Sequence, residues 1–231
     1  MAVFLLPLLT FIGLWLLEKR LPTVPQEEHT LWDHLLHAAG LFIQGCVIPF
    51  AGYLLSLFVA PLLFPSSAGV LKLGWWGSFL LNLIGVDFLY YWQHRAFHRY
   101  DTLWKLHACH HEAARIDVWT TARNSLLVNF LFVYLLINPF LAYFCDAPNA
   151  FYLGAMLTAS LDIFRHSCVN WNKLIPAPLL QFLSYVFVMP RQHHFHHRVE
   201  APSANFSANF ILWDILFGTA VIHNPKEHEH A

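Results

Sequence analysis

Apolar residues run in long, nearly unbroken blocks rather than in the alternating or three-to-four spaced patterns of a soluble fold. Five blocks, roughly 2–17, 41–63, 74–93, 126–145 and 149–165, are long enough, or nearly so, to cross about 30 Å of hydrocarbon as helices. The first and last are short and fit a tilted, interfacial or half-buried placement. A further stretch, LLQFLSYVFVMP at 179–190, is too short to span and fits a re-entrant or interfacial segment. Pro65-Ser66-Ser67 and Asp146-Ala147-Pro148-Asn149 read as tight turns. The pattern predicts an all-α, multi-pass integral membrane helical bundle of four to five spans. In the N-terminal block the positive charges, Lys19 and Arg20, follow the apolar run, and no small-residue cleavage motif appears. This is the order of an uncleaved first membrane helix, not of a signal peptide.

Composition strengthens this picture. Of 231 residues, 57% are apolar and only 12% charged, about half the charge of an ordinary soluble domain. A net charge of −1 gives nucleic-acid binding no electrostatic support. The four cysteines, Cys46, Cys109, Cys145 and Cys168, form neither a CxxC pair nor a disulfide framework and read as free thiols. Charge placement orients the spans. With the N-terminus outside, 17–40, 94–125 and 166–231 share one side; with Arg165 at the edge they hold 12 of the 13 Lys and Arg residues, leaving only Lys72 opposite. The positive-inside rule makes that shared side cytoplasmic. No linker or repeat divides residues 1–231, which read as a single membrane domain.

The 16 histidines gather on that side. After the third block come His94 and His98 (HxxxH), then His107, His110 and His111 (HxxHH). After the fifth come His166 and a second HxxHH of His193, His196 and His197. Residues three and four apart share a helix face, so HxxHH presents three imidazoles within about 100° of arc. Eight nitrogens, nine with His166, exceed the three or four that one zinc takes. They suit two metal ions of higher coordination number, and a paired iron site that activates O2 fits best. The sequence predicts a cytoplasmic, histidine-rich helical cap on the bundle. HHEAAR at 110–115 begins like the zinc-protease HExxH but has Arg115 where the second histidine is needed. Asp87 shares a stripe with Tyr91, His94 and His98 and is expected to orient a ligand ring; Glu112, Asp117 and Asp162 are weaker candidates. Phe88, Tyr90, Tyr91, Trp92, Phe97 and Trp104 flank the first two clusters, mostly as interfacial belt residues. His29, His34 and His37 read as interfacial, His194 as off the shared face, and His223, His228 and His230 as a polar tail without a role.

These boxes, in this order, resemble the fatty acid hydroxylase / sterol desaturase superfamily of membrane histidine-rich di-iron oxygenases. The stretches that carry the likeness are GVDFLYYWQHRAFH (85–98), LWKLHACHH (103–111), FRHSCVN (164–170), MPRQHHFHH (189–197) and the closing NFSANFILWDILFGT (205–219). They make 85–219 a hydroxylase/desaturase core, with N-terminal spans at 1–80 and a polar tail at 220–231. The resemblance implies an oxidoreductase that uses O2 and two electrons to hydroxylate or desaturate an unactivated C–H bond of a lipid. It implies His94, His98, His107, His110, His111, His166, His193, His196 and His197 as metal ligands. Asn170 stands where some members carry another histidine, which implies a place at the metal directly or through water. Where many members have Arg-x-His-Pro, this chain has TTARNSLL (120–127), with Ser125 at the histidine place. A similar Arg-x-Ser occurs in members acting on ether lipids, which points away from sterols.

With no fused cytochrome domain in the sequence, electrons are expected from a separate donor: a cytochrome b5-like protein, a ferredoxin or a flavoprotein reductase. The chain ends KEHEHA rather than in a KDEL-type signal, so a bacterial inner membrane is expected over the endoplasmic reticulum. The competing reading is a membrane metal-binding or transport protein. A transporter would carry ionisable residues at mid-span, whereas these histidines sit at span ends.

Overall fold

A computed structural model describes residues 5–23, 29–113, 115–125, 127–198 and 204–222. It is all-helical; among these residues extended pairing is limited to three isolated bridges. The expected tail histidines, His223, His228 and His230, lie outside the described residues.

Helix α1, Leu6–Arg20, opens with Pro7 in its first turn and ends on Lys19 and Arg20, which suit a helix C-terminus. Helix α2 is continuous over Leu31–Leu63, interrupted by π-helical turns at Ile43–Val47 and Leu55–Val59. It starts on a capping box: Thr30 Oγ1 accepts from the Asp33 N–H at 3.1 Å, and the Asp33 carboxylate accepts from the Thr30 N–H at 3.0 Å. Helix α3 covers 74–99, with a π-helical turn at Leu81–Val86. Gly74, at φ +64°, lets the chain enter it, and the Asp146 carboxylate accepts from the Leu73 and Gly74 N–H groups. Helix α4 is Asp101–His111. The block expected as one span at 126–145 is instead three short helices, α5 Val128–Leu131, α6 Val133–Leu136 and α7 Asn138–Phe144. Phe132 is extended and Pro139 cannot donate a backbone bond, so the ladder breaks twice. Helix α8, Pro148–His166, is unbroken, and α9 Ala177–Ser184, α10 Pro190–His196 and α11 Leu212–Leu216 follow.

Helix α8 lies between α1 and α3. Contact with α3 is close because position 154 has no side chain: a Cβ there would lie 2.8 Å from the Phe79 carbonyl oxygen and 2.9 Å from Asn82 Cβ. Val86, Tyr90, Phe97, Phe132, Val133 and Phe151 form the main apolar cluster. Leu14, Val118, Ile163 and Val169 form a second one that seats α1. Among the described residues one helix, α2, is long and apolar enough to cross a membrane, and almost none of its apolar window is buried inside the protein. Val133–Phe144 is a shorter apolar stretch. The segment expected to be re-entrant or interfacial folds as α9, with Leu179, Phe182 and Tyr185 exposed along it.

Candidate metal centre

The histidine boxes converge although they are far apart in the chain. The C-terminal turns of α3, α4 and α8 bring His94 and His98, His107, His110 and His111, and His166 to one end of the molecule. Helix α10 completes the set. It is held there by Gln192, whose amide oxygen accepts from the Met189 N–H and whose amide nitrogen donates to the Ser184 carbonyl, both at 2.7 Å.

The nine rings sort into two groups whose potential ligand atoms all lie within 4.8 Å of one another: His94, His98, His107, His111 and His196; and His110, His166, His193 and His197. In the first, Nε2 atoms are 3.1 Å apart for His94 and His107, 3.2 Å for His107 and His111, and 3.1 Å for His94 and His196. In the second they are 3.2 Å for His110 and His166, 2.9 Å for His166 and His193, and 3.1 Å for His193 and His197. A metal–nitrogen bond of about 2.1 Å places neighbouring ligands of one ion about 3.0–3.4 Å apart, so the separations match the edges of coordination polyhedra. Each HxxHH motif straddles both groups: His107 and His111 against His110 in α4, His196 against His193 and His197 in α10.

The outer ring nitrogens fix the tautomers. Nδ1 of His94 donates to the Phe206 carbonyl at 2.8 Å, that of His110 to Arg123 at 2.8 Å, that of His166 to Asp162 at 2.7 Å and that of His196 to Ala204 at 2.7 Å. With Nδ1 protonated, each Nε2 lone pair faces inward. Burial, with neighbouring imidazoles adding to it, keeps the rings neutral: His107, His193, His196 and His197 are driven well below the ordinary histidine value and His98 to about 4, while His110 is held at about 4 by burial and by the Arg165 and Arg123 charges. Unprotonated imidazole is the metal-binding form.

These four acceptors are backbone carbonyls, and one carboxylate stands beside them: Asp162 Oδ1 lies 3.4 Å from His166 Nδ1. Asp87 touches no cluster ring by hydrogen bond; its oxygens accept from the N–H groups of Ala208, Asn209 and Phe210 at 3.0, 2.9 and 3.2 Å and from Trp213 Nε1 at 3.2 Å. It therefore anchors the loop that presents the Phe206 carbonyl to His94. Asp214 accepts from the Phe206 and Ser207 N–H groups of the same loop. Sequence spacing cannot show a backbone acceptor, which is why this layer was missed. Asp162 pairs with Arg165, Asp117 with Arg115 and His29, and Glu112 is exposed. Asn170 makes backbone contacts, its N–H to the Leu21 carbonyl at 2.7 Å and its carbonyl to the Lys173 N–H at 3.1 Å; no hydrogen bond links its side chain to a cluster histidine among the described residues. His194 stays outside both groups, with Nε2 on the His166 carbonyl at 3.2 Å. His34 is exposed, but His37 is buried, contrary to an interfacial placement, and stacks edge-on against His29.

A cavity of about 400 Å³ opens beside the clusters. His107, His110 and His166 line it together with residues of α2, α6, α7 and α8, from Arg165 and Asp162 back to Met156 and Tyr152. His166 and Tyr152 are separated by about 20 Å along the helix axis. Tyr90 is the one flanking aromatic named above that lines it.

The fatty acid hydroxylase family pattern matches residues 79–219. Alkylglycerol monooxygenase of Xenopus tropicalis is 29% identical over 66% of this chain and 31% of its own length. Ornithine lipid hydroxylase OlsE of Rhizobium tropici is 30% identical over 63% of this chain and 42% of its own. Fatty acid hydroxylase vlmA of a Lecanicillium species is 29% identical over 64% of this chain and 44% of its own. The chain thus spans about a third to under half the length of these relatives. No solved structure matches it.

Proposed function

The chain belongs to the fatty acid hydroxylase family, and from that premise we propose that it is a membrane-bound di-iron oxygenase that inserts oxygen into an unactivated C–H bond of a lipid. The observation that carries the reading is the pair of histidine groups opening onto an elongated cavity. Neutral imidazoles in two sets of five and four suit two ions that keep positions free for small molecules, and they suit iron among the metals imidazole binds. Two bound iron ions would supply the reduction of O2 and the oxidant that breaks the C–H bond. In balance, the lipid C–H, O2, two electrons and two protons give a C–OH group and water; desaturation uses the same equivalents to remove two hydrogens.

The chain's own residues do the rest. Nine imidazoles hold the ions: His94, His98, His107, His111 and His196 one, His110, His166, His193 and His197 the other. Asp87 acts at one remove, by fixing the 208–210 backbone, and Asn170 by fixing the chain that follows His166. The buried surroundings keep bulk water from the reacting carbon, and the cavity directs the lipid to His107, His110 and His166. Four to five membrane segments, with 85–219 as the catalytic core, 1–80 as N-terminal spans and a cytoplasmic cap, agree with the charge distribution and the exposed apolar flank of α2. Electrons come from a separate carrier on the cap side.

Lipid extracts of a host expressing the wild type and the His110→Ala, His111→Ala variant test this. The wild type is expected to yield a lipid heavier by one oxygen atom, labelled from isotopic O2, or lighter by two hydrogens, and the variant neither. Identical lipid profiles contradict the proposal.

A further inference from the structure

Resting on the lipid-oxygenase reading, we propose that Trp104 is the point at which electrons from the separate carrier enter the centre, passing through its indole ring to the first histidine group. Trp104 stands on α4 three residues before His107 and seven before His111, on the helix face those two rings share. It is 37% exposed. Its ring lies 5.0 Å from that of His98, 5.1 Å from that of His111 and 6.3 Å from that of His107, centroid to centroid, within the range of aromatic packing contact. One indole thus meets three of the five rings of the first group and still reaches the surface. Tyr90, Phe97 and Phe206 also stand against rings of that group, but all three are buried. The four rings of the second group are themselves buried.

The surroundings suit a meeting with a water-borne carrier. Arg99, Tyr100, Asp101 and Lys105, the neighbours of Trp104 along the chain, are exposed, and charges of both signs mark a face wetted by water rather than covered by lipid. Neither His98 nor His111 lines the cavity, which reaches the centre at His107, His110 and His166. Electrons therefore arrive at a part of the first group that the lipid does not occupy. Tunnelling falls off steeply across an open gap and less steeply through packed atoms, so a ring in contact with His98 and His111 shortens the gap that a protein-sized donor must bridge. Each of two encounters oxidises the carrier by one electron and reduces the metal pair by one. No bond forms or breaks at Trp104, and no proton moves there.

The test mixes full-length protein in detergent, loaded with Mössbauer-active iron and oxidised, with reduced plant-type ferredoxin, a strong one-electron donor. Reduction of the bound iron is followed by rapid-freeze Mössbauer spectroscopy, without O2 or lipid. Rates are taken per bound iron, so metal lost from a variant does not mask the result. Trp104→Leu is expected to slow reduction by about an order of magnitude. Trp104→Phe, which keeps a ring against His98 and His111, is expected to stay close to the wild type. Trp92→Leu removes a ring that is also exposed but packs on Tyr91 and Phe217, and it leaves the rate unchanged. A ring that merely keeps water out gives the reverse for Trp104→Leu, since its loss opens the group to the donor. An unchanged or faster rate in Trp104→Leu overturns the proposal, as does a Trp104→Phe variant as slow as Trp104→Leu, or equal slowing by Trp92→Leu. Bound iron that ferredoxin does not reduce in the wild type overturns it too and leaves the oxygenase reading standing. A wild type that binds no iron counts against the oxygenase reading itself, and the proposal falls with it.

Discussion

The histidines of this chain act in sets, and each set makes its own prediction. His166 and His197 contribute two of the four nitrogens of one group. His166→Ala with His197→Ala is therefore expected to lower bound iron from about two ions per chain to about one, read by elemental analysis, whereas the exposed His34→Ala leaves it unchanged. Loss of both ions from the double variant would mean that the groups are not independent sites. A second prediction concerns pH. His98 and His110 titrate near 4 in the fold against 6.5 for an ordinary histidine, so between these values the unfolded chain binds protons that the folded chain does not. Stability from these rings is complete above pH 6.5 and is lost as pH falls through that window. The melting temperature of metal-free protein is expected to drop by several degrees between about pH 6.5 and about pH 5; a flat profile contradicts the burial of neutral rings. Eight of the nine imidazoles were legible as clusters because three- and four-residue spacings fix a helix face, whereas His166, alone in its stretch, rested on its place after the fifth apolar block and on the family likeness. Their division between two groups was not: HxxHH spans about 100° of arc, wide enough to serve two centres, and only the tertiary packing of the helices decides which ring goes where.

At the scale of elements, the centre depends on a loop and on a helix contact. Asp87 joins α3 to the 208–210 backbone through three N–H groups and Trp213. Asp87→Ala leaves those buried donors unpaired and is expected to cost about 3 kcal/mol. Hydrogen exchange should show lost protection confined first to 205–219, and the His94 and His196 group should lose metal more readily, since both rings donate to carbonyls of the 204–206 backbone. Unchanged exchange in 205–219 would remove Asp87 from this role. Gly154→Ala forces α8 off α3 and is expected to cost about 1–3 kcal/mol in thermal unfolding; a neutral effect would mean that the helices part freely. The sequence foretold α8 near both of its observed ends and α3 at its start, because the apolar blocks begin and stop there, while α3 runs six residues past the end of its block into polar sequence. The 126–145 block misled, because hydropathy registers apolar length but not the breaks at Phe132 and Pro139. Asp87 was singled out for the face it shares with His94, yet its partner is a loop more than a hundred residues away, a contact that helical spacing has no means to reveal.

For the whole molecule, the claim that matters is that distant parts of the chain close around two metal ions at the head of a lipid-sized cavity. The convergence of His94 with His196, 102 residues apart, is what periodicity alone can propose but not establish. The cavity left almost no trace in the sequence, because its lining is gathered from segments as far apart as Gln44 and His166 that share no local pattern. Product chemistry depends on donor and substrate as well as on the site, so metal content isolates the claim best. Elemental analysis and X-ray absorption of the full chain, purified in detergent after expression with ample iron, should find about two tightly held iron ions per chain with nitrogen neighbours near 2.1 Å. A single zinc ion, or metal that exchanges freely with the buffer, would contradict the account.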